Sequence, residues 1–254
     1  MLYYTAEGNG PSIVFLHGLF GSGDNWSWFV KRYFQNYYCI LPDLPNHGSS
    51  EHSGSCGYQC MATSIINLLD RLEIQEAVFI GHSLGGRVAQ KAALLHPDRV
   101  KALISLDAGP GTISKDFSDI FAGIKAVEQE KPSNRKAADT LLSQHIASKQ
   151  VRMFLLKSYK PNDSNSYQWV FHVDNLIELK SELFSPLEIN GKYKGSSLFI
   201  QAEVNPFLTD KEFETINNAF PNSEVQTMNK AGHWMHAERP EETASAIGGF
   251  LASL

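Results

Sequence analysis

The run Val78-Phe79-Ile80-Gly81-His82-Ser83-Leu84-Gly85-Gly86-Arg87-Val88 decides how this chain reads. An apolar stretch over residues 77–80 stops at Gly-His-Ser-Leu-Gly, and helix-compatible sequence begins at once beyond it. A short continuous apolar run bounded by turn residues reads as a buried strand. Residues 87–95 place Val88, Ala92 and Leu95 on one helical face and end at His96-Pro97, where a helix stops. A strand feeding a helix through Gly-x-Ser-x-Gly forces the serine into a sharp turn with its hydroxyl exposed above the sheet. Gly81 and Gly85, lacking Cβ atoms, let strand and helix approach closely. Ser83 is therefore expected to be a nucleophile, with the Leu84 N–H at the helix start facing developing negative charge.

Outward from this stretch the strand–helix alternation repeats. Residues 12–16 form an apolar run ending at His17-Gly18-Leu19-Phe20-Gly21, and Asp24 opens a helix with Trp26, Phe29 and Val30 as apolar positions. Residues 37–41 are a further strand, closed by the turn-rich Pro42-Asp43-Leu44-Pro45-Asn46-His47-Gly48. Residues 61–72 carry apolar side chains at helical spacing, and residues 100–106 are another strand, ending at Asp107-Ala108-Gly109-Pro110. Such alternation implies an α/β fold, a mostly parallel central sheet with helices on both faces. It breaks over residues 111–186, which are charged and helical in pattern with no convincing strand. It resumes with a strand at 197–201, a helix at 210–219, a strand at 224–228 and a last helix at 240–251. The reading is one domain over residues 1–254. Its core is 1–110 and 187–254, and 111–186 is an inserted helical cap placed where loops cover a site.

A serine hydroxyl needs a base to take its proton, and in such sheets the partners follow in the order Ser, acid, His. Of nine histidines, His233 alone combines a late position, a preceding glycine and a strand-to-helix connection. His236 is the rival, expected to face the helix start or solvent. His82 is expected to point away from the hydroxyl, and His17 and His47, in turns, to bond locally. The acid usually stands in the loop after the strand at 197–201. That loop reads Ala202-Glu203-Val204-Asn205-Pro206, with an amide where the carboxylate belongs. An amide does not stabilise an imidazolium by charge. Asp107 ends the preceding strand, and neighbouring strands lie about 4.8 Å apart, so its carboxylate still reaches the imidazole. Asp107 is taken as the acid, although an Asp before Gly-Pro also suits a plain turn. Glu203, Asp210 and Asp174 stay as alternatives, Asp210 reading better as a first-turn helix residue. The second oxyanion donor is expected in the loop after residues 12–16, at the Leu19 N–H first and the Phe20 N–H next.

Composition bounds the rest. The chain has 254 residues, 43% hydrophobic and 19% charged, with net charge −5, and nothing in it points to nucleic acid. No run approaches the roughly 18 apolar residues of a membrane span, and Met1-Leu2-Tyr3-Tyr4-Thr5 lacks the pattern of a signal peptide. Cys39, Cys56 and Cys60 make no disulfide framework, so free thiols in a reducing cytoplasm are expected. Neither metal nor organic cofactor is needed, and the chain is expected to be a monomer or small homo-oligomer. Phe20, Phe117, Phe121, Phe154, Tyr159, Trp169, Phe171 and Trp234 are candidates to line an acyl pocket. Aromatics of this kind also serve as a cap's own core.

Together these residues resemble the α/β-hydrolase superfamily, over nearly the whole chain. Within it, His17-Gly18-Leu19-Phe20-Gly21-Ser22, Asn46-His47-Gly48 with Ser50, Phe79 to Gly86, Asp107 and Gly232-His233-Trp234 with His236-Ala237-Glu238 resemble the bacterial YbfF-type esterases. Pro45 departs from their pattern, which usually has Arg before Asn-His-Gly. The resemblance implies that Asp107 is the acid and that the substrates are short acyl esters and acyl thioesters. Residues 111–180 hold ten Lys and Arg against eight Asp and Glu, a balance that suits an anionic carrier such as acyl-CoA or acyl carrier protein and equally an evenly solvated face. The expected reaction is hydrolysis through an acyl-enzyme on Ser83. Two other classes share the motif: a lyase or C–C bond hydrolase like the menaquinone-type synthases, in which Arg87 holds a carboxylate, and a ligand-binding receptor. A Ser nucleophile disfavours haloalkane or epoxide hydrolysis.

Overall fold

A computed structural model describes residues 1–52 and 54–254. Seven strands form the central sheet: β1 (Tyr4–Glu7), β2 (Ser12–Leu16), β3 (Tyr38–Pro42), β4 (Ala77–His82), β5 (Val100–Leu106), β8 (Ser196–Ala202) and β9 (Ser223–Met228). Their spatial order is β1-β3-β2-β4-β5-β8-β9, with β1 antiparallel to β3 and the other pairs parallel. Side chains alternate across the sheet as the strand period of two requires. Val14, Leu16, Phe79, Leu103 and Phe199 pack in one layer with α2 (Tyr58–Arg71), α3 (Leu84–Leu95) and α9 (Phe213–Ala219). Ile13, Phe15, Val78, Ile80, Ile104 and Ile200 pack in the other with α1 (Ser27–Tyr33) and α11 (Pro240–Leu251). Because β2, β4, β5, β8 and β9 run the same way, the loops after all five meet at one rim. That rim is where ligands bind in open α/β sheets.

Between β5 and β8 the chain forms α4 (Ser118–Glu130), α5 (Arg135–Leu142), α6 (Lys149–Leu156), α7 (Val173–Glu178) and α8 (Lys180–Phe184). A short antiparallel hairpin, β6 (Tyr159–Pro161) with β7 (Tyr167–Trp169), interrupts them, so the expectation of no strand here is corrected. Strands of three residues are too short to reveal alternation. The turn between them is held by Asn162 Oδ1, which accepts from the N–H groups of Ser164 and Ser166. These elements close over a core of their own that includes Phe121, Ile124, Val127, Leu142, Trp169 and Leu176. After β9 come α10 (Met235–Glu238) and then α11.

Two local expectations are also corrected. A 3₁₀ turn, Gly23–Trp26, with Ser22 rather than Asp24 at its start, precedes α1. Cys56 and Cys60 are paired in a disulfide, and Cys39 alone is a free, buried thiol. Cys60 lies in the first turn of α2 and Cys56 just before it, with Cα atoms 5.1 Å apart, within bridging range. The argument from free thiols to a reducing compartment therefore falls away. No helix among the described residues is long and apolar enough to cross a membrane.

Candidate active site

Ser83 stands alone between β4 and α3, at φ 53° and ψ −116°, a backbone region that L side chains avoid. Two glycines make the turn possible. A Cβ on Gly81 would lie 2.2 Å from the Gly85 carbonyl oxygen, and one on Gly85 2.2 Å from that of Leu16. Helix α3 begins at Leu84, earlier than the apolar spacing indicated, so the Leu84 N–H lies at the helix N-terminus.

Asp107 follows β5 directly, also at positive φ (46°), and its carboxylate is fully buried. Buried carboxylates need hydrogen-bond donors, and here they come from the backbone of the loop after β8. Oδ1 accepts from the N–H groups of Ala202 (3.2 Å), Phe207 (3.1 Å) and Leu208 (3.4 Å), and Oδ2 from Phe207 (3.2 Å). The loop that carries Asn205 instead of an acid thus cradles an acid from the next strand. Of the alternatives, Glu203 accepts from the Lys230 N–H and Asp174 is paired with Lys125. Asp210 opens a 3₁₀ turn, Asp210–Glu212, ahead of α9.

His233 joins the two. Its Nδ1 lies 2.7 Å from Asp107 Oδ2 and its Nε2 3.0 Å from Ser83 Oγ. A carboxylate only accepts, so Nδ1 carries the proton and Nε2 presents its lone pair to the hydroxyl. Burial pulls the imidazole below its ordinary 6.5, opposed by the Asp107 bond and charge. The ring is accordingly neutral at neutral pH, in the tautomer that can take a proton from Ser83. His82 turns away from Ser83 Oγ and donates from Nε2 to the His233 carbonyl (2.7 Å). His236 does not face solvent: it is buried, with its ring against Trp26 and His82.

The loop after β2 is braced by two neutral histidines. His17 Nε2 accepts from the Leu44 N–H (3.0 Å), and His47 Nε2 accepts from the Phe20 N–H (3.2 Å). Phe20 N–H is therefore engaged, which leaves Leu19 as the donor of that pair open to a ligand. Burial pushes His17 down to about 4, and His47 and His236 down to about 3. An imidazolium at His17 or His47 cannot accept these N–H bonds, and one at His236 would be buried among aromatic rings, so acid opposes the fold. Between pH 6.5 and about 4 the unfolded chain binds protons that the folded one refuses, and stability falls as pH falls. For these three histidines the loss at pH 5.5 is on the order of 1 kcal/mol each, a few kcal/mol together. Urea unfolding at pH 7.5 and 5.5 is the check; equal midpoints would contradict it.

A cavity of about 350 Å³ opens above these groups. Gly18, Leu19, Ser83 and His233 form its floor, and Phe117, Ile120, Val151, Phe154 and Leu155 line it from the inserted segment. Phe20 and Trp234 line it as well, as do Val204, Phe207, Lys115 and, at its polar edge, Gln150 and Glu238. Phe121, Tyr159, Trp169 and Phe171 do not: they are packed in the inserted segment's core, where the Trp169 Nε1–H donates to the Ile124 carbonyl. Periodicity marks a residue as apolar without saying which side of a small helical layer it takes. Val204, Phe207 and Lys115 escaped the sequence reading because their loops were searched only for a carboxylate or for helix. Arg87 is buried over the Tyr58 ring, donates to the Ser185 carbonyl, and is not part of the cavity lining. No cluster of three or more His, Cys, Asp or Glu suited to a metal occurs among the described residues.

Fold and geometry define an α/β hydrolase, and the chain belongs to that family: residues 11–240 match the model of the alpha/beta hydrolase fold. It is similar to esterase YbfF of Escherichia coli, 31% identical over 244 residues that span 96% of this chain and 94% of the relative. An sn-1-specific diacylglycerol lipase of Mus musculus is 33% identical over 95% of this chain and 81% of its own. Among solved structures, a marine microorganism esterase superposes with a TM-score of 0.92, at 31% identity, over 98% of each chain.

Proposed function

We propose that the protein is a serine esterase that hydrolyses carboxylic esters or thioesters of short-to-medium acyl chains through an acyl-enzyme on Ser83. The observation that carries this is the line Ser83–His233–Asp107, hydrogen-bonded at 3.0 and 2.7 Å on the floor of an apolar cavity. His233 takes the Ser83 proton as Oγ attacks the acyl carbonyl, and Asp107 holds the tautomer and offsets the charge that forms on the ring. The oxyanion is held by the Leu84 and Leu19 N–H groups. His233 then returns its proton to the departing alkoxide or thiolate. Water, deprotonated by the same imidazole, releases the acid in the second half. The relatives named esterase and lipase support ester hydrolysis as the reaction class. The apolar lining supports an acyl group as the part that is bound.

The test is a panel of p-nitrophenyl esters and acyl-CoAs of increasing chain length, with mass spectrometry of the quenched enzyme. The expected result is turnover favouring short-to-medium chains and an acyl adduct on the peptide containing Ser83. Absence of turnover on every ester and thioester, with no adduct, would defeat the proposal. The base also sets the pH profile. Because burial lowers His233, kcat/KM should climb from the acid side with an apparent pKa below 6.5 and be at full value at neutral pH. An acid limb centred above 7 would contradict it.

A further inference from the structure

Two side chains beside the site have no part in the proton path, yet both are held against it. Phe207 lies in the loop after β8. Its backbone N–H donates to both oxygens of Asp107, at 3.1 and 3.2 Å. Its ring stacks on the His233 imidazole, centroids 3.8 Å apart and planes inclined by 27°. Lys115, from the inserted segment just before α4, places its ammonium 3.8 Å from the centroid of the same Phe207 ring and donates to the Asn205 carbonyl. Two groups cannot both stand 3.8 Å over one face of a ring. The imidazole and the ammonium therefore take opposite faces, and the ring is sandwiched between them.

We infer that Phe207 and Lys115 form a two-part clamp that positions the general base. The amide of Phe207 fixes the acid, its ring fixes the plane of the imidazole, and Lys115 presses that ring into place from the inserted segment. The inference rests on the proposed roles of Ser83, His233 and Asp107. A phenyl face attracts the ammonium on one side and stacks on the flat imidazole on the other. The Asn205 carbonyl, on a residue at positive φ (53°), holds the ammonium over the ring from the same loop. Phe207 thus links three groups that arrive on β5, on the loop after β9 and on the inserted segment.

Charge gives the clamp a signature that packing alone lacks. The groups that face His233 are Asp107 from β5, His82 from β4, Glu238 and His236 from α10, and Lys115 from the inserted segment. Of these, Asp107 and Glu238 favour the imidazolium and Lys115 opposes it. Removing the ammonium therefore raises the base's affinity for a proton and moves the acid limb toward neutral pH.

The experiment measures kcat and KM against pH, with p-nitrophenyl butyrate as the probe, for the full chain and four variants: Phe207→Leu, Phe207→Tyr, Lys115→Met and Lys115→Arg. Phe207→Leu should lower kcat about 30-fold, with KM within threefold, because a loosened imidazole misaligns proton transfer rather than binding. Phe207→Tyr, which keeps the ring, should stay within threefold in kcat. Lys115→Met should move the acid limb up by about half a pH unit, and Lys115→Arg should restore it. The clamp is overturned if Phe207→Leu and Phe207→Tyr behave alike, if only KM moves, or if Lys115→Met leaves the limb in place. Should Phe207→Leu fail to fold, the half-buried Lys115 pair still decides. A fluorophosphonate probe separates the two levels of the argument. Labelling of Ser83 with an unmoved profile removes the clamp alone, whereas no labelling of the unaltered chain removes the reading beneath it.

Discussion

Ser83→Ala is expected to lower kcat on p-nitrophenyl esters by about 10⁶-fold, the scale on which a nucleophile that acts as a unit with its base is lost. The residue sits at the one point of the sheet rim where Oγ meets the lone pair of His233 Nε2, at 3.0 Å. Among the described residues no other hydroxyl is hydrogen-bonded to His233, so residual turnover would come from the oxyanion donors and from binding. Because the groups act together, adding His233→Ala to this variant should cost little more. The same position stores strain. At φ 53° and ψ −116° a Cβ is costly, by about 1–3 kcal/mol, and alanine keeps that cost while glycine removes it. Ser83→Gly should therefore be inactive yet unfold at higher urea than Ser83→Ala. Retained activity in Ser83→Ala, measured on protein free of host esterases, would end the serine mechanism.

Asp107→Asn should lower kcat by about 10⁴-fold with little change in KM. The amide that replaces the carboxylate offers an NH₂ group to His233 Nδ1 and so turns the ring to the tautomer whose Nε2 carries the proton. That ring cannot act as a base toward Ser83. The amide keeps Oδ1 for the Ala202, Phe207 and Leu208 N–H groups and loses the Oδ2 acceptor of the second Phe207 bond together with the negative charge, so a modest loss of stability should accompany the loss of rate. Glu203→Gln and Asn205→Ala should each cost less than tenfold, since neither side chain touches His233 in the bonds that hold the ring. A larger effect at Glu203 or Asn205 than at Asp107 would move the acid to the loop after β8.

Much of this was legible in the sequence because the site is built at strand ends. The apolar runs that become β2, β4, β5 and β8 end at His17, Ser83, Asp107 and Glu203, and parallel strands bring such ends to one rim. The choice of Asp107 as candidate acid has the same origin: Asp107 and the loop at Asn205 follow strands that pair directly, Leu106 opposite Ile200. What escaped was whatever lacks periodicity. Strand β1 is a largely exposed edge whose residues alternate little, so it reads as a polar terminus. Cys56 and Cys60, too few for a disulfide framework, did not reveal that the start of α2 brings them within bridging distance. Phe207 is an ordinary apolar letter in a loop, and its two duties depend on a backbone amide and a ring face that composition does not record. The split of the inserted aromatics into lining and core, Phe117 against Phe121, depends on helix packing that spacing alone leaves open.

Beyond a register shift at its start, between Ala77 and Val78, the ladder between β4 and β5 stays in register to its end, His82 opposite Leu106, and the Ser83 N–H donates to the Leu106 carbonyl. Ser83 and Asp107, the proposed nucleophile and acid, therefore leave the ends of two strands joined side by side. Assembly of the machinery reduces to one adjustable coordinate, the seating of the turn over residues 229–234 that delivers the imidazole. Mutations elsewhere in the chain can tune or spoil the enzyme chiefly by moving that one piece.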